Sequence, residues 1–397
     1  MRTTFRFRLL SLKRSFCSSI TTTASNAAVN TNPSPRSFTE PLLVTIDKLF
    51  KQHDADKLTS DFIAASESYR FRCRHRVYEV VVRRLAQYGR GDAVEAILEA
   101  QKRFLSNFTR EGFGVRLIAL YGKAAMPAHA AATFRQLPAL GSPRTVKSFN
   151  ALLTAYAESA DFDGLNASFR EIPAADPSIT PDLISYNILV RALCQKGDLD
   201  AALGTVDLME TNGMCPNLIT FNTLLFSFYE KNGCADAEKI WTLMREKNIE
   251  PDTKSFNAKL RGLVLEGRIP EVAELIDQMK RVGPKPDASS YNALIKGYLQ
   301  DGNLEAAKML FADFTKNECP PNRSTFEILI PSLCETTDLD LALKCCYDSM
   351  SRRCFVRAAL LQRVVDELVK SSRIEEANKL VDIGRQNNYS RKSLHMP

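Results

Sequence analysis

The sequence predicts an all-α fold, an α-solenoid of about ten helix-turn-helix repeats, on three observations. A Pro-Asp or Pro-Asn pair recurs at a constant spacing of 35 residues: Pro181-Asp182, Pro216-Asn217, Pro251-Asp252, Pro286-Asp287 and Pro321-Asn322. A fixed period of about 20 to 50 residues marks a repeat array. Within each period the apolar residues fall at helical spacing, and no stretch alternates as a strand does.

The unit beginning at Leu183 shows the grammar. Tyr186, Leu189, Val190, Leu193 and Cys194 fall at i, i+3, i+4, i+7 and i+8, the stripe of an amphipathic helix. Gly197 and Asp198 break it. A second stripe follows in Leu199, Ala202, Leu203, Val206 and Met209, then Gly213 stops that helix and Pro216 cannot continue it. Ser185 is placed to act as N-cap of the first helix, and Ser148, Thr220, Ser255, Ser290 and Thr325 recur at the same position. A lone hairpin cannot bury both stripes, so neighbours must stack into a superhelix with a concave face.

The same pattern repeats in 218–252, 253–287 and 288–322, with Gly233, Gly267 and Gly302 between the helices. Unit 146–182 is two residues longer, with the excess expected in a Pro173–Pro177 loop. Degenerate units are expected at 76–110, 111–145, 323–357 and 358–392, and a further hairpin at 40–75. The organisation is then 1–39 as an organelle transit peptide, 40–145 as degenerate N-terminal helical repeats, 146–322 as five regular repeats, 323–392 as degenerate C-terminal repeats or cap, and 393–397 as a tail.

Residues 1–39 carry Arg2, Arg6, Arg8, Lys13, Arg14 and Arg36 and no acid, interleaved with Phe5, Phe7, Leu9, Leu10, Leu12 and Phe16 before a Ser/Thr/Ala/Asn-rich stretch. That composition reads as a transit peptide, and Lys13 with Arg14 interrupt the apolar run a secretory signal needs. The bland alternative is a disordered tail. Arginine at the extreme start points to the mitochondrial matrix over the plastid.

Charge is unevenly placed. Residues 40–145 hold 17 basic and 11 acidic side chains, 146–322 hold 18 and 25, and 323–397 hold 12 and 10. The regular repeats are therefore acidic on balance, and no smooth polybasic surface is offered to nucleic acid. The cluster Arg70, Arg72, Arg74, Arg76, Arg83, Arg84 and Arg90 reads either as a source of compensating charge or as a solvated helix face. Ten scattered Cys show no Cys-x-x-Cys and only four His are present, so small buried thiols are expected and no zinc site. No paired carboxylates, phosphate loop or catalytic His set is visible. No enzyme, cofactor, small-molecule substrate or membrane span is expected.

The unit "LISYNILVRALCQKGDLDAALGTVDLMETNGMCPN" resembles the pentatricopeptide repeat (PPR), in its aromatic-Asn start, "LC-x-K-G" helix end, "A-L" second helix, "M-x-x-x-G" and closing Pro-Asp/Asn. The resemblance is strong for 146–322, fair for 323–357 and weaker for 76–145 and 358–392. The uniform length resembles the P-class, and the resemblance implies a right-handed superhelix. "YEVVVRRLA", "IWTLMREKNIEPDTKSFNAKLRGL" and "LQRVVDELVKSSRIEEA" are similar to a group of short plant mitochondrial PPR proteins, some of them components of the small subunit of the mitochondrial ribosome.

The resemblance implies binding of single-stranded RNA, mRNA or rRNA, at about one base per repeat. The base is chosen by the residue after the aromatic and the last residue of the repeat. Here these pairs are Asn150 with Asp182, Asn187 with Asn217, Asn222 with Asp252, Asn257 with Asp287, and Asn292 with Asn322. The implied site is 5′-U-(C/U)-U-U-(C/U)-3′. The alternative is that these are ordinary cap and turn residues. The apolar residue that sandwiches a base in the family is matched by Ile184 and Ile219 but not by Lys147, Lys254 or Ser289. The family's phosphate-facing Lys is replaced by Glu158, Gln195, Glu230, Leu265 and Gln300. Weak, salt-dependent RNA binding is therefore expected. A ribosomal member would also contact ribosomal proteins, and the competing function is a protein-binding scaffold with little sequence-specific RNA recognition.

Overall fold

The computed structural model describes residues 40–105, 111–281, 283–314, 319–387, 389 and 394–397, so the transit-peptide expectation for 1–39 lies outside the described residues. Among the described residues there are 21 helices and no strands. They form ten hairpins, each with a first (A) and a second (B) helix. The hairpins are α1 (Glu40–Lys51) with α2 (Ala55–Ala65), α4 (His75–Gln87) with α5 (Gly91–Lys102), α6 (Gly112–Lys123) with α7 (Pro127–Gln136), α8 (Val146–Glu158) with α9 (Phe162–Ala175), and α10 (Leu183–Lys196) with α11 (Leu199–Thr211). They continue as α12 (Leu218–Lys231) with α13 (Cys234–Glu246), α14 (Thr253–Leu265) with α15 (Ile269–Arg281), α16 (Ala288–Gln300) with α17 (Leu304–Phe314), α18 (Arg323–Glu335) with α19 (Leu339–Ser351), and α20 (Ala358–Lys370) with α21 (Ile374–Gln386). A single turn, α3 (Tyr69–Arg72), links the first two hairpins.

Successive A helices pack directly on one another from α4 through α20. Most B helices pack mainly on the A helix of their own hairpin and secondarily on the next A helix, and only α2 with α5 and α19 with α21 make appreciable B–B contact. The tightly packed layer must follow the shorter arc, so the free face of the A helices lines the concave side. The stripes read from the sequence are the core: Tyr186, Leu189, Val190, Leu193, Cys194, Leu199, Ala202, Val206 and Met209 are all buried.

The A–B turn uses a left-handed residue at one fixed place, except in unit 218–252, where it falls one residue later at Gly233 (φ 83°). Gly197, Gly267 and Gly302 have φ of 94°, 71° and 72°, and Ala160 and Thr337 hold the same place at 55° and 58°. The turn is set by the packing of the two helices, and glycine only makes it cheaper.

Three details differ from the sequence reading. The Ser/Thr series does not supply the N-caps. Asp182, Asn217, Asp252, Asp287 and Asn322 do, and Ser185, Thr220, Ser255, Ser290 and Thr325 are the third helical residue, closing a capping box. The Asp/Asn carbonyl-type oxygen reaches the free N–H groups of the first turn, a task a shorter hydroxyl three residues later cannot perform. In unit 146–182, Pro173 lies inside α9 and not in a loop, so the helix absorbs part of the excess. Of the cysteines, Cys194, Cys234, Cys334, Cys345 and Cys346 are buried, whereas Cys73 and Cys215 are exposed, since both fall on connections outside the helical stripes.

Candidate nucleic-acid interface

Each A helix presents its residues 2, 5, 9 and 13 on one face, because these are spaced by three and four. In the regular units this face reads Lys147, Asn150, Thr154, Glu158; Ile184, Asn187, Arg191, Gln195; Ile219, Asn222, Phe226, Glu230; Lys254, Asn257, Arg261, Leu265; and Ser289, Asn292, Lys296, Gln300. Ile184 is 59% and Ile219 62% exposed, the two apolar residues that match the base-sandwiching position.

Eight of the ten expected reading residues meet in four directly bonded pairs across the repeat boundaries, whereas Asn187 and Asn217 are joined only through the Thr220 hydroxyl, at 2.7 and 3.2 Å. The Asn150 amide donates to Asp182 Oδ1 at 3.0 Å, Asn222 to Asp252 at 3.0 Å, Asn257 to Asp287 at 3.0 Å, and Asn292 to Asn322 Oδ1 at 3.2 Å. The same Oδ1 caps the next helix, as Asp252 Oδ1 does for the N–H groups of Lys254 (2.9 Å) and Ser255 (3.0 Å). A third link runs backwards. The hydroxyl of Ser185, Thr220, Ser255 and Ser290 donates to Oδ1 of Asn150, Asn187, Asn222 and Asn257 at 2.5, 2.7, 2.6 and 2.6 Å. Every one of these hydroxyls is wholly buried, which such a bond makes tolerable.

The cap reading and the pairing thus describe one arrangement. Asp182, Asp252, Asp287 and Asn322 each hold the next helix and the preceding Asn with the same oxygen, and Asn217 holds its helix alone; in every case the second polar atom is left over. In Asp182, Asp252 and Asp287 that atom is Oδ2, an acceptor; in Asn217 and Asn322 it is the amide N–H2, a donor. The rungs are unequal at the end. Asn292 is only 6% exposed and its Oδ1 is buried without a partner.

Two of the Asp caps are held ionised. Burial works to raise the Asp182 carboxyl, but the Asn150 amide, the Ser185 N–H and the Ser185 hydroxyl outweigh it and set it below the ordinary Asp range. At Asp252 burial is again opposed, by the Ser255 N–H, Asn222 and the Ser255 hydroxyl, with the same net direction.

The position-9 residues were missed by the sequence reading. Arg191, Phe226, Arg261 and Lys296 form an exposed line one turn from the Asn series, and their spacing of 35 was there to be read. Arg261 lies 4.8 Å over the Phe226 ring and pairs with Glu230 at 2.7 Å, whereas Arg191 and Lys296 have no ion-pair partner among the described residues. The acidity of 146–322 lies elsewhere. The five A helices of this stretch with their N-caps hold eight Lys/Arg against five carboxylates (Glu158, Glu230, Asp182, Asp252 and Asp287). The B helices and connections hold 10 and 20. The A-helix layer carries the positive balance of an acidic segment, while the groove face with its caps holds equal numbers of the two signs.

The PPR repeat family matches residues 181–230, 216–265 and 286–335. The chain carries pentatricopeptide repeats. Two Arabidopsis thaliana proteins are similar over 201 residues: small ribosomal subunit protein mS78 (rPPR3a), 39% identical, and small ribosomal subunit protein mS79 (rPPR3b), 37% identical. The matched stretch is 51% of this PPR chain and 49% and 48% of those relatives, so the chain spans about half the length of the curated relatives it matches. A mitochondrial pentatricopeptide repeat-containing protein of the same plant is 36% identical over 168 residues, 42% of this chain and 40% of the relative. The crystal structure of the pentatricopeptide repeat protein PPR10 from maize covers 90% of this chain and 59% of its own at 15% identity, with a TM-score of 0.44, too distant for any residue to be carried across. No described helix is long and apolar enough to cross a membrane, and no described group of three or more His, Cys, Asp or Glu could hold a metal ion.

Proposed function

We propose that this PPR chain is a non-catalytic mitochondrial adaptor that binds a short pyrimidine-rich stretch of single-stranded RNA, and that it does so docked on ribosomal RNA in the small ribosomal subunit. One observation carries the reading of bases: the helix cap consumes Oδ1 and leaves the other polar atom of each cap residue over, beside an Asn of the preceding repeat. Uracil offers an N3–H donor, which the spare Oδ2 of Asp182, Asp252 and Asp287 accepts. Cytosine offers N3 as an acceptor, which the spare amide of Asn217 and Asn322 satisfies. The exposed Ile184 and Ile219 supply apolar faces for stacked bases, and Arg191, Arg261 and Lys296 supply charge along the phosphates. The names of the ribosomal and mitochondrial relatives support the location.

Binding of the full chain to UCUUC and to a purine pentamer, with and without Asn187→Ala/Asn222→Ala, tests the base reading. Equal binding of both RNAs that the double variant leaves unchanged would refute it. Sedimentation of organelle extract tests the docking: migration among light fractions away from the small subunit sinks that part. A second reading, a protein-binding scaffold, is favoured by the acidic B helices and connections, whose 20 carboxylates against 10 cations suit a basic protein neighbour. Both uses fit one molecule, since the two layers face opposite ways.

A further inference from the structure

The arginine-rich stretch 70–90 divides once its partners are known. Arg72 is buried, donates to the carbonyls of Ser66 (2.7 Å) and Glu67 (2.8 Å), and lies 4.0 Å over the Phe104 ring. Arg84 donates to the carbonyls of Leu49 and Phe50, both at 3.0 Å, and so ties α4 to the end of α1. Arg90 is taken by Asp56 (2.6 Å) and Asp92 (2.7 Å), and Arg83 by Glu79 (3.1 Å). These four are structural. Arg70, Arg74 and Arg76 are exposed and have no hydrogen-bond or ion-pair partner among the described residues. Arg116, half-buried from α6, sits 4.7 Å over the Tyr78 ring and 4.6 Å over Phe113, likewise with no carboxylate among the described residues.

Three exposed guanidinium groups within seven residues of α3 and α4, with Arg116 against α4 from α6, therefore carry no ion pair among the described residues, although the Arg76 charge is felt at Glu79. The carboxylates of this stretch are committed: Glu67 to Arg103, Glu79 to Arg83 and Lys123. Arg74 stands at the N-cap of α4, the place that Asp182 holds in α10, so a cation replaces an anion where the helix end already favours negative charge. Burial, and then the Arg116 charge, hold His75 below its ordinary value, so Arg116 acts on this same helix end. Tyr69, 59% exposed, adds an aromatic face beside the arginines.

We infer that Arg70, Arg74, Arg76 and Arg116 bind the phosphates of the RNA segment flanking the pyrimidine tract on the side of the N-terminal repeats. The occupant is RNA and not a lipid surface, because α4 belongs to the same contiguous A layer as the Asn series, two hairpins away from α8. An RNA chain lying along that layer passes over α4 after about two to four further nucleotides. Planar guanidinium groups suit phosphate oxygens in two-point contact. The inference rests on the groove reading above, and the following test separates their failures.

Anisotropy titrations of the full chain would use UCUUC alone and UCUUC with an oligo-A extension of about six nucleotides at either the 5′ or the 3′ end. One extension, and not the other, should tighten binding. Arg70→Ala/Arg74→Ala/Arg76→Ala should abolish that gain, by roughly a hundredfold at about 0.1 M salt, with the log–log salt slope reduced by about 2 and binding of bare UCUUC unchanged. These exposed substitutions leave the packing alone, which circular dichroism checks. Equal binding of extended RNA by variant and parent overturns the inference, as does an arginine-dependent affinity for phosphatidylserine vesicles without any change in RNA binding. Loss of pyrimidine preference with the arginine-dependent slope intact refutes the base reading and leaves this inference standing. Absence of RNA binding by the unaltered chain overturns both.

Discussion

The regular repeats and the N-terminal units are built on one hairpin yet treat the start of the A helix oppositely. At the starts of α10, α12, α14, α16 and α18 an Asp or Asn caps its own helix, and at all but α12 it also takes a bond from the repeat before it. At α4 the cap is Arg74, which makes no capping bond, and at the start of α8 the neighbour's Asn is replaced by Glu111. The buried Glu111 carboxylate accepts from the Thr145 N–H (3.0 Å), the Thr145 hydroxyl (2.6 Å) and the Ser148 N–H (3.1 Å), closing that end with no atom to spare. The difference teaches that stacking needs only that the helix end be satisfied. Reading a base needs it to be satisfied with one polar atom left over.

Substitutions can break this contrast, and the largest effect belongs to the closed end. Glu111→Ala removes three accepted bonds, although the Thr145 N–H keeps a second partner in the Ser148 hydroxyl, and should cost about 3 kcal/mol in urea unfolding, with RNA preference untouched. Asn187→Ala/Asn222→Ala should erase pyrimidine preference, with roughly 10- to 100-fold weaker binding of UCUUC in anisotropy titrations. Cap and reader come apart at Asp252. Asp252→Ala should cost about 1 kcal/mol by losing the cap. Asp252→Asn keeps Oδ1 in place, should change stability by under about 0.5 kcal/mol, and should move the preference at that rung from uracil towards cytosine in competition binding. Gly267→Ala meets no neighbouring atom, so its cost of about 1 kcal/mol would come from the left-handed backbone alone and would show in the same melts.

The smallest effect is one of pH. Asp182 and Asp252 lie below their ordinary value in the folded chain, so the stability they contribute is fully present above about pH 4 and is lost as the pH falls through their lower folded values. Acid unfolding monitored by circular dichroism should therefore be less steep in Asp182→Asn/Asp252→Asn than in the parent chain.

Much of this was legible in the residues alone. The spacing of 35 located the hairpins, because a stacked array forces the same apolar stripe on every unit, and the Asn and Asp/Asn series stood out by recurrence. The cap was misplaced because Ser and Asp are both good caps and only the backbone shows which one reaches the free N–H groups. Pro173 was put in a loop because proline disfavours helices, yet packing carried α9 through it. Charge was the least legible. A net count over 146–322 is acidic, and only the division into two layers reveals that the A helices carry a positive balance.

The sequence by itself determined the hairpin architecture and the recurrence of the Asn and Asp/Asn series, since a repeat writes its contacts at fixed intervals. Only the tertiary structure decided which charges are spent and which remain. Pairing of Arg72, Arg84 and Arg90, and the freedom of Arg70, Arg74 and Arg76, depend on atoms brought together from helices up to 35 residues apart. Electrostatic compensation is a matter of distance in space, to which the order of residues along the chain is a poor guide.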